Sequence, residues 1–236
     1  MRDETSCRVC RGPLREAGRG RRPVYCSRAC QARAYRARRT PPIPGPPPVS
    51  GRRRQVVEAV WRLAASRGLQ SVTVREVAAE AGVTPRIVQY HFSGKQDLLV
   101  TALRELHRDN GIRARERIAA LPDPGDPRAL LRATLDEFLP LDGERRTGLA
   151  VLTAYYTRSL TDPALAAVFL AAETPLEDLI AALITAAGPR PGIDPAHEAD
   201  LLVSGVTGLG LDLLHRRRDL IGVRRTIAYH LDRILG

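Results

Sequence analysis

The sequence predicts an all-α protein headed by a small cysteine-based module. Three observations lead there. From residue 52 onward apolar residues recur at helical spacing, and no stretch alternates convincingly with the period of a strand. Helix-start and helix-stop residues punctuate those stretches. All four cysteines fall within the first 30 residues.

Composition narrows the function class. The chain has 236 residues, 44% of them apolar and only 4% aromatic, so a packed core must be built mainly from Leu, Ala, Val and Ile. No apolar run reaches the roughly 18 residues of a membrane span, and no apolar signal core opens the chain. The expectation is a cytoplasmic protein without a membrane partner, in a compartment where cysteines stay reduced. Net charge is +11, and its position matters more than its size. Residues 1–54 hold 15 arginines against Asp3, Glu4 and Glu16, whereas residues 55–236 balance to −1. A basic excess so concentrated suits a phosphate backbone.

The elements follow in order. Residues 1–39 form the cysteine module, and residues 40–51 a linker with six prolines that favours an extended, semi-rigid spacer. The first long helix places Val56, Val57, Val60, Trp61, Leu63 and Ala64 on one face and stops at Gly68. Thr73-Val-Arg-Glu76 is a capping box that starts a second helix, which ends at Gly82. Thr84 and Pro85 open a short third helix through His91, and a long helix runs from Lys95 to about Ala120. Further helices are expected at 128–139, 144–160, 163–186, 195–215 and 219–235, with a bend or break at Pro175.

Thr73–His91 thus has the anatomy of a helix-turn-helix, with Ala78, Val83, Ile87 and Val88 between the two helices and Gly82 in the turn. The stretch SVTVREVAAEAGVTPRIVQYHFSGKQDLL resembles the DNA-binding region of the tetracycline-repressor (TetR) family, including its Tyr/His-Phe-x-x-Lys segment, here Tyr90 to Lys95. The close resemblance covers about residues 52–103. It implies that Thr84, Pro85, Arg86, Gln89 and Tyr90 face double-stranded DNA and that Lys95 meets a phosphate. Side-chain chemistry agrees: Arg can bind guanine, and Gln adenine, through two hydrogen bonds. Arg52, Arg53 and Arg54 at the head of the first helix, and Thr73, complete the candidate contacts. The chain departs from the family's commoner pattern at Arg86 and Gln89, so its operator is its own. Phe92 reads as core.

The cysteine spacing, Cys7-x2-Cys10 and Cys26-x3-Cys30, can supply four thiolates to one tetrahedral zinc, with a redox-active thiol pair or unbound cysteines as the alternatives. The segment is too short and too poor in apolar residues to fold without such a staple. It resembles small zinc modules of treble-clef-like arrangement, with a Tyr-Cys-Ser-x-x-Cys start and an arginine-rich helix. Four cysteines close the site and make it structural. Ser27 caps the helix, whose Arg28, Arg33, Arg36, Arg38 and Arg39 are candidates for an auxiliary DNA contact.

Residues 104–236 carry little signature of their own. The resemblance implies an effector cavity among the middle helices and a homodimer through the last two. His107, Phe138, Tyr155, Tyr156 and Phe169 are the bulky side chains available to such a cavity. Leu202, Val206, Leu209 and Leu213 form one candidate dimer stripe, Ile227, Leu231 and Ile234 another, and Gly205 and Gly208 permit close approach. The same stripes would also complete a monomer core. No local constellation of an enzyme appears: Gly205-x-x-Gly208-x-Gly210 follows no strand, and His197-Glu198 lacks a second zinc-site His. The expected function is a sequence-specific transcription regulator, a repressor released by a small-molecule effector. The alternative is a zinc-dependent adaptor for protein or RNA.

Overall fold

A computed structural model describes residues 7, 13–14, 24–28, 30–31, 51–171 and 176–235. The chain divides into two units, Met1–Pro48 and Val49–Gly236. In the first, residues 28, 30 and 31 are helical. Ser27 caps that helix as expected: its Oγ accepts from the backbone N–H of Cys30 at 3.2 Å.

The described residues of the second unit form helices joined by turns, with one isolated bridge, Pro189 to Leu235. The order is α1 (Gly51–Arg67), a 3-10 turn (Leu69–Ser71), α2 (Val74–Glu80), α3 (Pro85–His91), α4 (Lys95–Ala119), α5 (Pro127–Asp136), α6 (Gly143–Ser159), α7 (Pro163–Phe169), α8 (Leu176–Ala186), α9 (Pro195–Leu214) and α10 (Leu220–Ile234). One device starts three of them. Asp126, Asp162 and Asp194 each precede a proline, and each carboxylate accepts from two N–H groups of the first turn of α5, α7 and α9. The side chain satisfies orphan donors while proline fixes the first helical φ. The span 163–186, expected as one helix with a possible break at Pro175, is two helices: α7 already stops at Phe169.

Two apolar cores result. The first joins α1 to α4 with Val151 and Tyr155 of α6 and Leu165 of α7. The second joins α5, α8, α9 and α10. The stripes nominated for a dimer lie within this second core: Leu202, Val206, Leu213, Leu231 and Ile234 are all buried by their own chain. What α9 and α10 leave in solvent is a different set, with Leu201 63%, Ile221 72% and Tyr229 71% exposed. Gly205 and Gly208 open onto space beside Leu201 on α9, and Gly210 is the glycine that packing requires. A Cβ there would sit 2.6 Å from the carbonyl oxygen of Phe138, so α9 crosses the end of α5 too closely for any side chain.

Gly210→Ala is expected to destabilise the fold by about 1–3 kcal/mol through overpacking, despite alanine's better helix propensity. Urea denaturation of both proteins checks this.

Candidate nucleic-acid interface and effector site

The helix-turn-helix is held by its own backbone. Thr73 Oγ1 accepts from the N–H of Glu76 at 3.1 Å and starts α2. Only half of the capping box forms, because the Glu76 carboxylate turns to Arg67 instead. At the other end Gly82 takes φ +62°. The Val83 N–H then reaches the Ala78 carbonyl at 2.9 Å and the Gly82 N–H reaches Ala79 at 3.2 Å. This is a Schellman motif, with Val83 folded back toward Ala78. Gln55 of α1 adds a side-chain N–H to the Ala81 carbonyl at 2.8 Å, and Arg62 pairs with Glu80. The turn is therefore anchored to α1 on two sides.

This leaves α3 with one buried residue, Val88, and a solvent face made of Thr84, Pro85, Arg86, Gln89 and Tyr90. Tyr90 is 84% exposed and meets His91 edge-on, with ring centroids 5.1 Å apart. Thr84 occupies the N-cap position of α3 but makes no side-chain cap bond, so its hydroxyl is available to a ligand. Lys95, also exposed, is the first residue of α4. A lysine at the positive end of a helix is unfavourable by itself, and an anion there relieves the repulsion. Asp97 offsets part of it by accepting the Ser93 N–H at 2.9 Å.

The three arginines at the head of α1 divide. Arg52 is exposed. Arg53 lays its guanidinium over the buried Phe92 ring, 5.0 Å from its centroid. Arg54 is turned inward: it bonds Asp109 of α4 and Glu58, and stacks over Trp61. Hydrogen bonding to Asp109 raises its pKa above the ordinary arginine value, partial burial opposes that rise and Glu58 adds to it. Phe92 is core, at 3% exposure.

Beyond the interface, α4 is tied to its neighbours along its length. Trp61 Nε1–H donates to the Ala102 carbonyl at 2.9 Å. Gln96 donates to Asp162, the cap of α7, at 2.9 Å. Arg113 and Arg117 reach Glu144 and Glu137. A cavity of about 860 Å³ lies between the start of α4 and α6, lined in part by Lys95, Gln96, Leu99, Thr157 and Arg158.

Of the five side chains nominated for an effector cavity, three come together. Phe169 meets His107 edge-on at 5.4 Å and Tyr156 at 5.6 Å. Desolvation by the protein packed around it lowers the His107 pKa, which favours a neutral imidazole at pH 7. Tyr155 lies elsewhere, fully buried in the first core with a hydroxyl that has no hydrogen-bond partner, and burial raises its pKa. Phe138 packs on the second core.

In the N-terminal unit the sulfurs of Cys7, Cys26 and Cys30 all lie within 4.8 Å of one another, with Cys26 and Cys30 3.6 Å apart. Cys7 is buried. Arg28 is exposed. Cys10, Arg33, Arg36, Arg38 and Arg39 lie outside the described residues.

Residues 56–102 match the family described as bacterial regulatory proteins, tetR family, and residues 127–236 match the BetI-type transcriptional repressor C-terminal family. The chain belongs to the TetR family of transcriptional regulators. The HTH-type transcriptional regulator BetI of Brucella canis is 32% identical over 112 residues, which is 47% of this chain and 55% of that protein. The match therefore spans about half the length of this curated relative. Among solved structures, a transcriptional regulator from Saccharomonospora viridis in complex with choline is 26% identical, with a TM-score of 0.70 over 78% of this chain and 97% of that one. The multidrug binding protein EbrR complexed with ethidium is 30% identical, with a TM-score of 0.54 over 76% of this chain and 98% of that one.

Arg54→Ala in this TetR-family chain is expected to cost roughly 1–2 kcal/mol of stability, because Asp109 loses the nearer of its two arginine partners and keeps only Arg113 at 4.0 Å. Arg52→Ala is expected to leave stability unchanged and to weaken DNA binding. Denaturation midpoints and duplex titrations of the two variants separate these roles.

Proposed function

We propose that this protein is a homodimeric, sequence-specific DNA-binding repressor released by a small organic effector, with a structural zinc in its N-terminal module. The observation that carries the reading is the solvent face of α3. Arg86 and Gln89 stand exposed on a short helix whose turn is fixed by its own backbone, next to a lysine at a helix N-terminus. That set joins two readers of base edges to one phosphate contact.

A two-fold dimer presents two such helices one turn of DNA apart. The exposed Leu201, Ile221 and Tyr229 on α9 and α10, with open glycines beside Leu201, support a four-helix interface on that face. For the effector, the ring cluster of His107, Tyr156 and Phe169 supports a binding wall that accepts an organic cation on its ring faces. A neutral His107 does not repel such a ligand. Choline and ethidium, bound by the two similar proteins, are both organic cations and are the first compounds to try. Cys7, Cys10, Cys26 and Cys30 are the proposed zinc ligands.

The test is a protection footprint on the DNA upstream of the protein's own gene. The wild type is expected to protect one discrete segment, and Arg86→Ala to lose that selectivity by one to two orders of magnitude. No discrete footprint, or one unaltered by the substitution, contradicts the reading.

A further inference from the structure

We infer that the cavity between the first turn of α4 and the last turns of α6 binds a small carboxylate with an aliphatic tail, and that the bound anion competes with DNA for Lys95. The cavity's volume of about 860 Å³ falls within the range of roughly 300–1,000 Å³ usual for small-molecule sites. The 3-10 turn Leu69–Ser71 supplies a third wall. Leu69, Leu99 and Ala154 give the cavity its apolar lining, against which an aliphatic tail can leave water.

Charge selects the head group. Among the described residues the lining holds two cations, Lys95 and Arg158, and no carboxylate. The Lys95 ammonium has no ion pair among those residues. Arg158 has Asp162, 3.7 Å from its Nε, which is beyond hydrogen-bond distance. The Asp162 carboxylate is already engaged: its Oδ1 accepts from Gln96 and from the N–H groups of Ala164 and Leu165 that it caps. The positive end of the 25-residue helix α4 adds to the same field. Two cations against one occupied carboxylate leave an excess of a single positive charge beside an apolar lining, which favours a monoanion. A carboxylate suits it, because the guanidinium fork of Arg158 can take both oxygens.

Lys95 belongs to two sites at once. It lines the cavity, and it is the proposed phosphate contact beside α3. An anion in the cavity neutralises its charge and draws the ammonium inward, so the same group no longer serves a DNA phosphate. This is competition for one residue. The ring cluster is a separate place: His107 stands eight residues beyond Leu99, about 12 Å farther along α4. The effect on DNA rests on the proposed role of Lys95, while the binding of the carboxylate does not.

The test is calorimetric titration of the full chain with octanoate, with octanamide as the uncharged control of the same tail. Duplex titrations with and without octanoate follow, on the DNA upstream of the protein's own gene. Octanoate is expected to bind and octanamide to bind at least about tenfold more weakly. Saturating octanoate is expected to weaken duplex binding about three- to tenfold and to make the log–log salt slope shallower by about 1 per subunit. Arg158→Gln, at an exposed position outside the proposed DNA contacts, is expected to bind the duplex as the wild type does and to lose octanoate affinity about tenfold. No octanoate binding, equal binding of octanamide, or full octanoate affinity in Arg158→Gln overturns the site. Octanoate binding that leaves duplex affinity and salt slope unchanged overturns the competition. Failure of the ligand-free protein to bind the duplex overturns the DNA reading and the competition with it, whereas the calorimetry still decides the site.

Discussion

Helix α4 is the constraint on which the second unit depends. Its 25 residues begin at Lys95, just beyond α3, and end at Ala119. At about 1.5 Å per residue, one stiff rod of nearly 40 Å serves both the helix-turn-helix and the middle helices. The N–H of Trp61 and the Arg54–Asp109 pair fix it to α1, and Gln96 fixes its first turn to the cap of α7. The first core runs uninterrupted from α1 to Tyr155 and Leu165. Helix α3 packs mainly on α2 and also on α1, so a tilt of α4 reaches it by way of α1.

This arrangement gives the proposed effector response a physical route. Phe169 lies at the last turn of α7, where it meets His107 of α4 and Tyr156 of α6. Asp162, at the first turn of the same helix, holds Gln96 beside Lys95. A ligand at the proposed ring site would press on the Phe169 end of α7, whose other end holds Gln96. It alters DNA affinity only as far as it binds one tilt of α4 better than the other.

The sequence was most legible where the physics is local. Thr73, Gly82 and Pro85 announce the helix-turn-helix because a cap, a left-handed turn and a fixed φ each need a particular residue type. It was least legible where partners are far apart. Arg54 and Asp109 are 55 positions apart, and Gln96 and Asp162 are 66 apart. No spacing rule links such pairs, which is why Arg54 reads in sequence as a phosphate contact while the structure turns it toward Asp109. Periodicity on α9 and α10 identified residues sharing a face, but not whether the same chain covers that face. Leu202 and Val206 went to the monomer core, and Leu201 with Tyr229 remained outside. Gly210 owes its place to the Phe138 carbonyl, which only the fold brings near.

In the proposed function, a dimer reads a two-fold DNA sequence through paired α3 helices. The most direct measurement is selection of bound duplexes from a random pool by the full-length protein. The expected outcome is enrichment of a palindrome whose half-sites lie about one helical turn apart, centre to centre. Enrichment of nothing, or of a single half-site without symmetry, would contradict it.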